Sequence, residues 1–372
     1  MNNSFRLTRL FGIDVDINLS WLLIFALFSF TLSTHYFPGL AEGFEPAIYW
    51  SMGIITTILI FASVLLHELA HSLMAIKSGI PIKKITLFIF GGVAQMEREP
   101  HQPGIELKIA LVGPATSLAL ALIAWLIYTP LPQDIAFSSM IWFLARINFI
   151  IGVINLIPAF PLDGGRVLRA GLWHFMKSML KATRVAVAIG SVFAFFAIGL
   201  GFLMIFQLAW IWGLWYIFLG WMLYQAGQAS YTQLVFQQAL KGVPVSRVMS
   251  HDVQTVEPDL TLDLLVEKFY RYKFGAFPVT YSGILKGLVS FNQLREVPKE
   301  KWHETTVRQV MTPKDQLTTA SLRQEAVEVM MKMAADNLGR VLVVENGELV
   351  GIISRTDMMK LINLHMQLGT EK

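Results

Sequence analysis

The sequence has no cysteine and very little charge. Without cysteine there is no disulfide and no thiolate nucleophile or ligand, so any metal must be held by histidine and carboxylate. Only 15% of the 372 residues are Asp, Glu, Lys or Arg, and 54% are hydrophobic; roughly 25% charged is usual for a soluble domain. That balance excludes a disordered chain and points to a bilayer as solvent. The scarcity is uneven: residues 1–228 hold 23 charged side chains and the shorter stretch 229–372 holds 33. Nine of the ten Trp precede residue 228, as expected of spans anchored at lipid headgroups. A net charge of +4 is too small for a basic nucleic-acid binder, and no nucleic-acid partner is expected. Met1–Asp16 is polar, reads as a short extended segment and shows no cleavable signal.

A crossing needs about 20 mostly apolar residues. Ile17–Ala41, Pro46–Leu66, Ile109–Gln133 and Ser138–Leu162 meet or approach that, the fourth with Arg146 inside it. Val185–Leu240 is long enough for two and divides near Gln207, after Gly199 and Gly201. Six spans are therefore predicted. Lys77, Lys83, Lys84, Arg98 and Lys108 fall between spans two and three, and Arg166, Arg169, Lys177, Lys181 and Arg184 between spans four and five. The loops at Pro38 and Pro130 have no Lys or Arg. The positive-inside rule then places both termini in the cytoplasm.

After residue 240 the pattern changes to α/β and repeats after about 60 residues. Val248-Met249-Ser250 opens a unit that closes in Gly287-Leu288-Val289-Ser290; Val310-Met311-Thr312-Pro313 opens another that closes in Gly351-Ile352-Ile353-Ser354. Each has an early Thr (Thr255, Thr318), one amphipathic helix (Leu262–Arg271; Gln324–Ala334) and short β-rich runs. The pair resembles tandem CBS domains. The predicted fold class is thus a polytopic α-helical membrane domain of about six transmembrane helices followed by a soluble α/β CBS-domain pair. The expected division is a membrane domain at 1–228, a linker at 229–243, and CBS repeats at 244–300 and 301–372.

Inside span two lies His67-Glu68-Leu69-Ala70-His71, an H-E-x-x-H pattern. On a helix, residues four apart share a face, so both imidazoles can grip one Zn²⁺ while Glu68 acts as general base. Ionisable groups at membrane depth are costly and point to function. A catalytic zinc site wants a third protein ligand and one open position. The run Asn155 to Gly165 supplies Asp163 at the end of span four, where Pro158 and Pro161 interrupt the helix. The competing reading of Asp163 is a cap for the next helix.

Together these residues resemble the site-2 protease family of intramembrane zinc metalloproteases, in a prokaryotic branch that carries a CBS module. Phe90-Gly91-Gly92-Val93-Ala94 and Gly113-Pro114 add to the resemblance, which covers essentially the whole chain. It implies His67, His71 and Asp163 as zinc ligands and Glu68 as the base, acting on transmembrane protein substrates in the plasma membrane of a prokaryote. It also places Asn155 near the metal as a partner for the substrate carbonyl; a helix-to-helix hydrogen bond is the alternative. The apolar run Ile85–Ala94 is expected to pair with an unwound substrate as an edge strand; a re-entrant loop that packs the site is the alternative. By resemblance, the CBS pair takes ATP, ADP or AMP, with Ser354 and Asp357 on the ribose and Thr318 at the adenine end. Gln293 stands where the first repeat would need the Asp, so one good site is expected. A packing module that forms a homodimer without ligand is the alternative there, and a CBS-gated transporter or channel is the alternative for the chain.

Overall fold

The computed structural model describes residues 4–359 except 41, 90, 97, 133, 134, 241 and 337. Phe90 and the end of the second expected repeat beyond residue 359 lie outside them. The chain divides into two compact units, Met1–Thr232 and Gln233–Lys372.

Strict alternation makes the first strands. In β2 (Ile13–Asn18), Ile13, Val15 and Ile17 are buried, while Asp16 pairs with Lys84 at 2.7 Å and Asp14 with Arg6 at 2.5 Å. A turn at Phe11–Gly12, both at positive φ, joins β2 to its antiparallel partner β1 (Ser4–Leu10). Asn18 caps α1 (Leu19–Thr31) by accepting the Ser20 amide, and a π-helical turn leads into α2 (Phe37–Leu40). The 32-residue α3 (Pro46–Lys77) starts with Pro in its first turn, where a missing N–H costs nothing. The chain then forms β3 (Ile82–Phe88), parallel to β2, and β4 (Gly91–Met96), antiparallel to β3. The sheet order is β1-β2-β3-β4. The expected single edge strand at Ile85–Ala94 is therefore a hairpin: β3 is interior, and only β4 has a free edge. Ile89 sits in the turn, its amide donating to the Ser20 hydroxyl at 3.3 Å.

Four long helices and a short one complete the unit: α4 (Pro103–Tyr128), α5 (Ala136–Asn155), the short α6 (Asp163–Met176), α7 (Met179–Phe206) and α8 (Trp210–Leu240). Among the described residues, five segments are long and apolar enough to cross a membrane: Leu19–Leu40, α3, α4, α5 and α7. The sixth expected span falls on α8, which has no charged residue but is less apolar, with Trp at 210, 212, 215 and 221. Backbones of α7 and α8 approach closely at glycine: a Cβ on Gly201 would lie 2.6 Å from the Gly213 carbonyl oxygen, the small-residue contact that serves helices without a hydrophobic drive to associate. Residues 229–240 of the expected linker at 229–243 are helical: α8 continues to Leu240, which is fully buried.

In the second unit, α9 (Leu262–Tyr272), β5 (Ala276–Tyr281), β6 (Ile284–Ser290) and α10 (Phe291–Arg295) form the first repeat. Then come α11 (Val307–Val310), β7 (Thr312–Pro313), β8 (Thr319–Ala320), α12 (Ala326–Ala335), β9 (Arg340–Glu345) and β10 (Glu348–Ser354). One sheet of order β5-β6-β10-β9-β8 contains both repeats, with β7 added to β6. The repeats exchange their opening segments. Val245, Val248 and Met249, which begin the first repeat, are buried with Val329, Met333, Val343 and Ile353 of the second. Val307, from the start of the second, is buried with Leu262, Leu265, Phe277 and Val289 of the first.

Candidate metal centre

Three elements converge on the motif. His67 and His71 lie one turn apart on α3 and both are buried, at 4% and 3% exposure. Helix α5 stops at Asn155, residues 156–162 turn, and α6 opens with Asp163 in its first turn. The α6 cap is Leu162, without a side-chain capping bond, so Asp163 does not serve as the helix cap. Its Oδ2 instead lies 3.1 Å from His67 Nε2 and 3.0 Å from His71 Nε2, and the two Nε2 atoms are 3.1 Å apart. Among the described residues this is the one cluster of three potential metal ligands.

The imidazoles are oriented from behind by α4, which packs against α3, α5 and α6. His71 Nδ1 lies 2.6 Å from the Ile109 carbonyl oxygen. A carbonyl only accepts, so Nδ1 carries the proton and Nε2 presents its lone pair to the cluster. His67 Nδ1 meets the Ser117 hydroxyl at 2.9 Å. Pro114 interrupts the α4 amide ladder between these two contacts. The helix is pinned to α6 at its other end, where Arg169 Nε donates to Glu106 Oε1 at 2.5 Å. Both partners are buried, and the guanidinium also lies 3.6 Å from Glu99 and over the Phe160 ring.

The donor set fits zinc. Tetrahedral coordination with bonds of about 2.0–2.1 Å puts ligand atoms about 3.3 Å apart, close to the spacings found. Space is kept for an ion at Gly113, where a Cβ would stand 2.1 Å from His71 Nε2 and 2.7 Å from His67 Nε2. Glycine at this position leaves open the volume toward which both nitrogens point.

Glu68 shares a cavity of about 220 Å³ with His71, Asp163, Arg166 and β4. Gly92, Val93 and Ala94 of β4 line this cavity with it, and a Cβ on Gly92 would come within 2.5 Å of the Glu68 Cγ. Strand β4, which has a free edge, therefore runs beside the general-base candidate. Asn155 is half-buried at the end of α5, lines no part of this cavity and has no side-chain hydrogen bond to a described residue.

In the second unit, Asp357 Oδ2 accepts from the Ser354 hydroxyl at 2.6 Å and from its amide at 3.2 Å, while the Asp357 amide donates to Ser354 Oγ. This is a helix-capping box. Gln293 does the same for Ser290 and also donates to the Thr312 hydroxyl at 2.7 Å. The Gln in place of Asp is thus a second solution to the same cap. Thr318 is half-buried immediately before β8.

The sequence reading missed Ser117, the Ile109 carbonyl and the Glu106–Arg169 pair. Their signal was periodicity: Glu106, Ile109, Ala110, Gly113 and Ser117 are spaced by three and four and are all buried, a polar and small stripe on an otherwise apolar span.

A His-His-Asp cluster within a bundle of apolar helices, with a carboxylate beside it, defines a membrane metallopeptidase. The description "Peptidase family M50" matches residues 55–137 and 132–200, and "CBS domain" matches 245–300 and 307–364. Zinc metalloprotease MJ0392 of Methanocaldococcus jannaschii is 30% identical over 364 residues, covering 98% of this chain and 97% of its own. The Synechocystis sp. protein sll0528 is 33% identical over 371 residues, covering 97% and 96%. The solved site-2 protease from Methanocaldococcus jannaschii aligns with 59% of this chain and 95% of its own, at 29% identity and a TM-score of 0.42. The chain belongs to peptidase family M50, the site-2 proteases, and carries a tandem CBS pair. It is a multi-pass membrane zinc metalloprotease, which displaces the transporter reading.

Gly113→Ala should fill the ion's space. Metal analysis of the purified variant is expected to show zinc reduced at least tenfold with an unchanged melting temperature, while Gly104→Ala, whose Cβ meets nothing within 4 Å, keeps its zinc. Full zinc occupancy in Gly113→Ala would contradict this placement.

Proposed function

We propose that this enzyme cuts transmembrane segments of membrane proteins in the cytoplasmic half of a prokaryotic plasma membrane. In this reading His67, His71 and Asp163 hold one zinc ion, Glu68 is the general base, and both chain termini are cytoplasmic. The observation that carries it is the convergence of three buried ligand atoms on the space that Gly113 leaves open. When bound, Zn²⁺ supplies Lewis acidity toward the scissile carbonyl and makes water a better nucleophile near neutral pH. Glu68 removes the water's proton and returns it to the departing amine. His67 lies ten residues from Lys77, about 15 Å along the helix, which sets the depth of the cut.

A helical substrate hides its amides, so it must unwind before attack. Strand β4 is suited to hold it, because it has a free edge, lines the cavity that contains Glu68, and leaves Val93 46% exposed. Pairing there would present the substrate backbone to the base with every second side chain toward the cavity. The Asn155 side-chain amide at the α5 terminus has no hydrogen bond to a described residue and is retained as a second polar contact for the entering chain.

The CBS pair is proposed to bind an adenine nucleotide and thereby alter proteolysis. Asp357 uses one oxygen in its capping box, leaving Oδ1 for a ribose hydroxyl, with Ser354 beside it and Thr318 at the adenine end. Regulation requires different nucleotide affinity for two arrangements of the protein. Dimerisation through this pair belongs to the same proposal.

Three outcomes test these readings. Glu68→Gln is expected to keep zinc and lose peptide hydrolysis, whereas His67→Ala and Asp163→Ala lose both; membrane proteomics against wild type then identifies the substrate that accumulates, and full proteolysis by Glu68→Gln would refute the assignment. Because the chain has no cysteine, Val93→Cys creates a single thiol. It should form disulfides with that substrate at cysteines placed on alternate residues, and cross-linking without a period of two would exclude strand pairing. Calorimetry of the full-length protein with ATP, ADP and AMP should show one site, weakened at least tenfold in Asp357→Asn, which retains an acceptor for the cap. Absence of heat with all three nucleotides would remove the ligand from the reading.

A further inference from the structure

Arg166 has been given no role above, and its surroundings are unusual for an arginine. Its side chain is 18% exposed and lines the cavity that contains Glu68, His71 and Asp163. A guanidinium offers five N–H donors, yet Arg166 makes no hydrogen bond to any described residue. Its recorded ion-pair contact is Asp163 Oδ1 at 4.0 Å, too long for a hydrogen bond. Arg169, three residues further along α6, shows what a committed arginine looks like in this fold, with Glu106 on its Nε, Glu99 nearby and Phe160 stacked beneath. Keeping a mostly buried cation without hydrogen bonds is costly, and the cost is recovered when an acceptor enters.

We infer that Arg166 is a catalytic residue that receives the scissile carbonyl oxygen and holds its charge as hydrolysis proceeds; this rests on the proposed protease site. Glu68, Gly92, Val93 and Ala94 of β4, Asp163 and Arg166 all line this one cavity, so the carbonyl of a substrate strand held on β4 enters a space shared by the base and the guanidinium. During attack the water oxygen bonds to the carbonyl carbon and the water proton passes to Glu68. The carbonyl π pair moves onto oxygen, which becomes anionic beside the guanidinium. The C–N bond then breaks, the proton on Glu68 passes to nitrogen, and the products are an acid and an amine. A donor aimed at that oxygen acts mainly in the transition state, and losing one such donor typically costs about 10²–10³ in kcat. Asp163 Oδ1 also profits from the positive charge, so the rival role is purely structural: orientation of the carboxylate toward the metal.

The test uses full-length protein in detergent and the membrane protein that accumulates when Glu68→Gln replaces wild type. Arg166→Gln should retain zinc against dialysis with chelator as wild type does, keep KM within about threefold, and lose about 10²–10³ in kcat. Arg166→Lys, which returns one charged donor, should recover about tenfold. Zinc loss in Arg166→Gln would make Arg166 a positioning group for Asp163 and overturn the inference. An unchanged kcat, or a loss confined to KM, would overturn it too, as would unfolding of both variants in a melting experiment. Failure of the wild-type protein itself to hold zinc would instead refute the metal-site reading on which the inference rests.

Discussion

No water is at hand inside a hydrocarbon slab to complete a polar group's hydrogen bonds, and that constraint organises the membrane unit. Each histidine has two ring nitrogens, and committing one to a metal leaves the other needing a partner from protein. Helix α4 meets the requirement with a main-chain carbonyl at Ile109 and a hydroxyl at Ser117. The same helix carries the glycine that spares room for the ion and, nearer its start, the Glu106 that holds Arg169 of α6. Breaking that buried pair by removing one partner would leave the other charge stranded, at a cost of about 3–5 kcal/mol. One face of one helix thus sets both imidazoles and the element that delivers Asp163.

The sheet obeys the same constraint in another way. Its inner strands β2 and β3 are paired on both sides, and one of its two outer strands, β4, lines the cavity. An unpaired edge ordinarily invites aggregation. Here one such edge belongs to the strand that lines the chemical site.

Much of this was legible in the residues themselves. His67-Glu68-x-x-His71 and Asp163 declared the centre because their spacing is dictated by helix geometry and ligand chemistry, and the apolar runs declared the spans because bilayer thickness fixes their length. The internal repeat declared the second unit. What remained hidden depends on partners distant in sequence. The β3–β4 hairpin read as one strand because its turn, around Ile89, is as apolar as its arms. Nothing local reveals that Leu240, within the expected linker at 229–243, is buried with Val245 and its neighbours. Ser354 and Asp357 read as ribose contacts, and the structure adds a capping box that the same spacing satisfies. Arg166 and Arg169 look alike in the sequence; only the fold separates the saturated guanidinium from the unsaturated one.

The exchange of opening segments between the two repeats means that neither is a self-contained building block. Val307 belongs by sequence to one repeat and by burial to the other, as do Val245 and Met249 in the opposite sense. The module is therefore tied like two interleaved hands: loosening one grip loosens both. A cut near residue 301 would therefore leave two incomplete cores in place of two smaller domains.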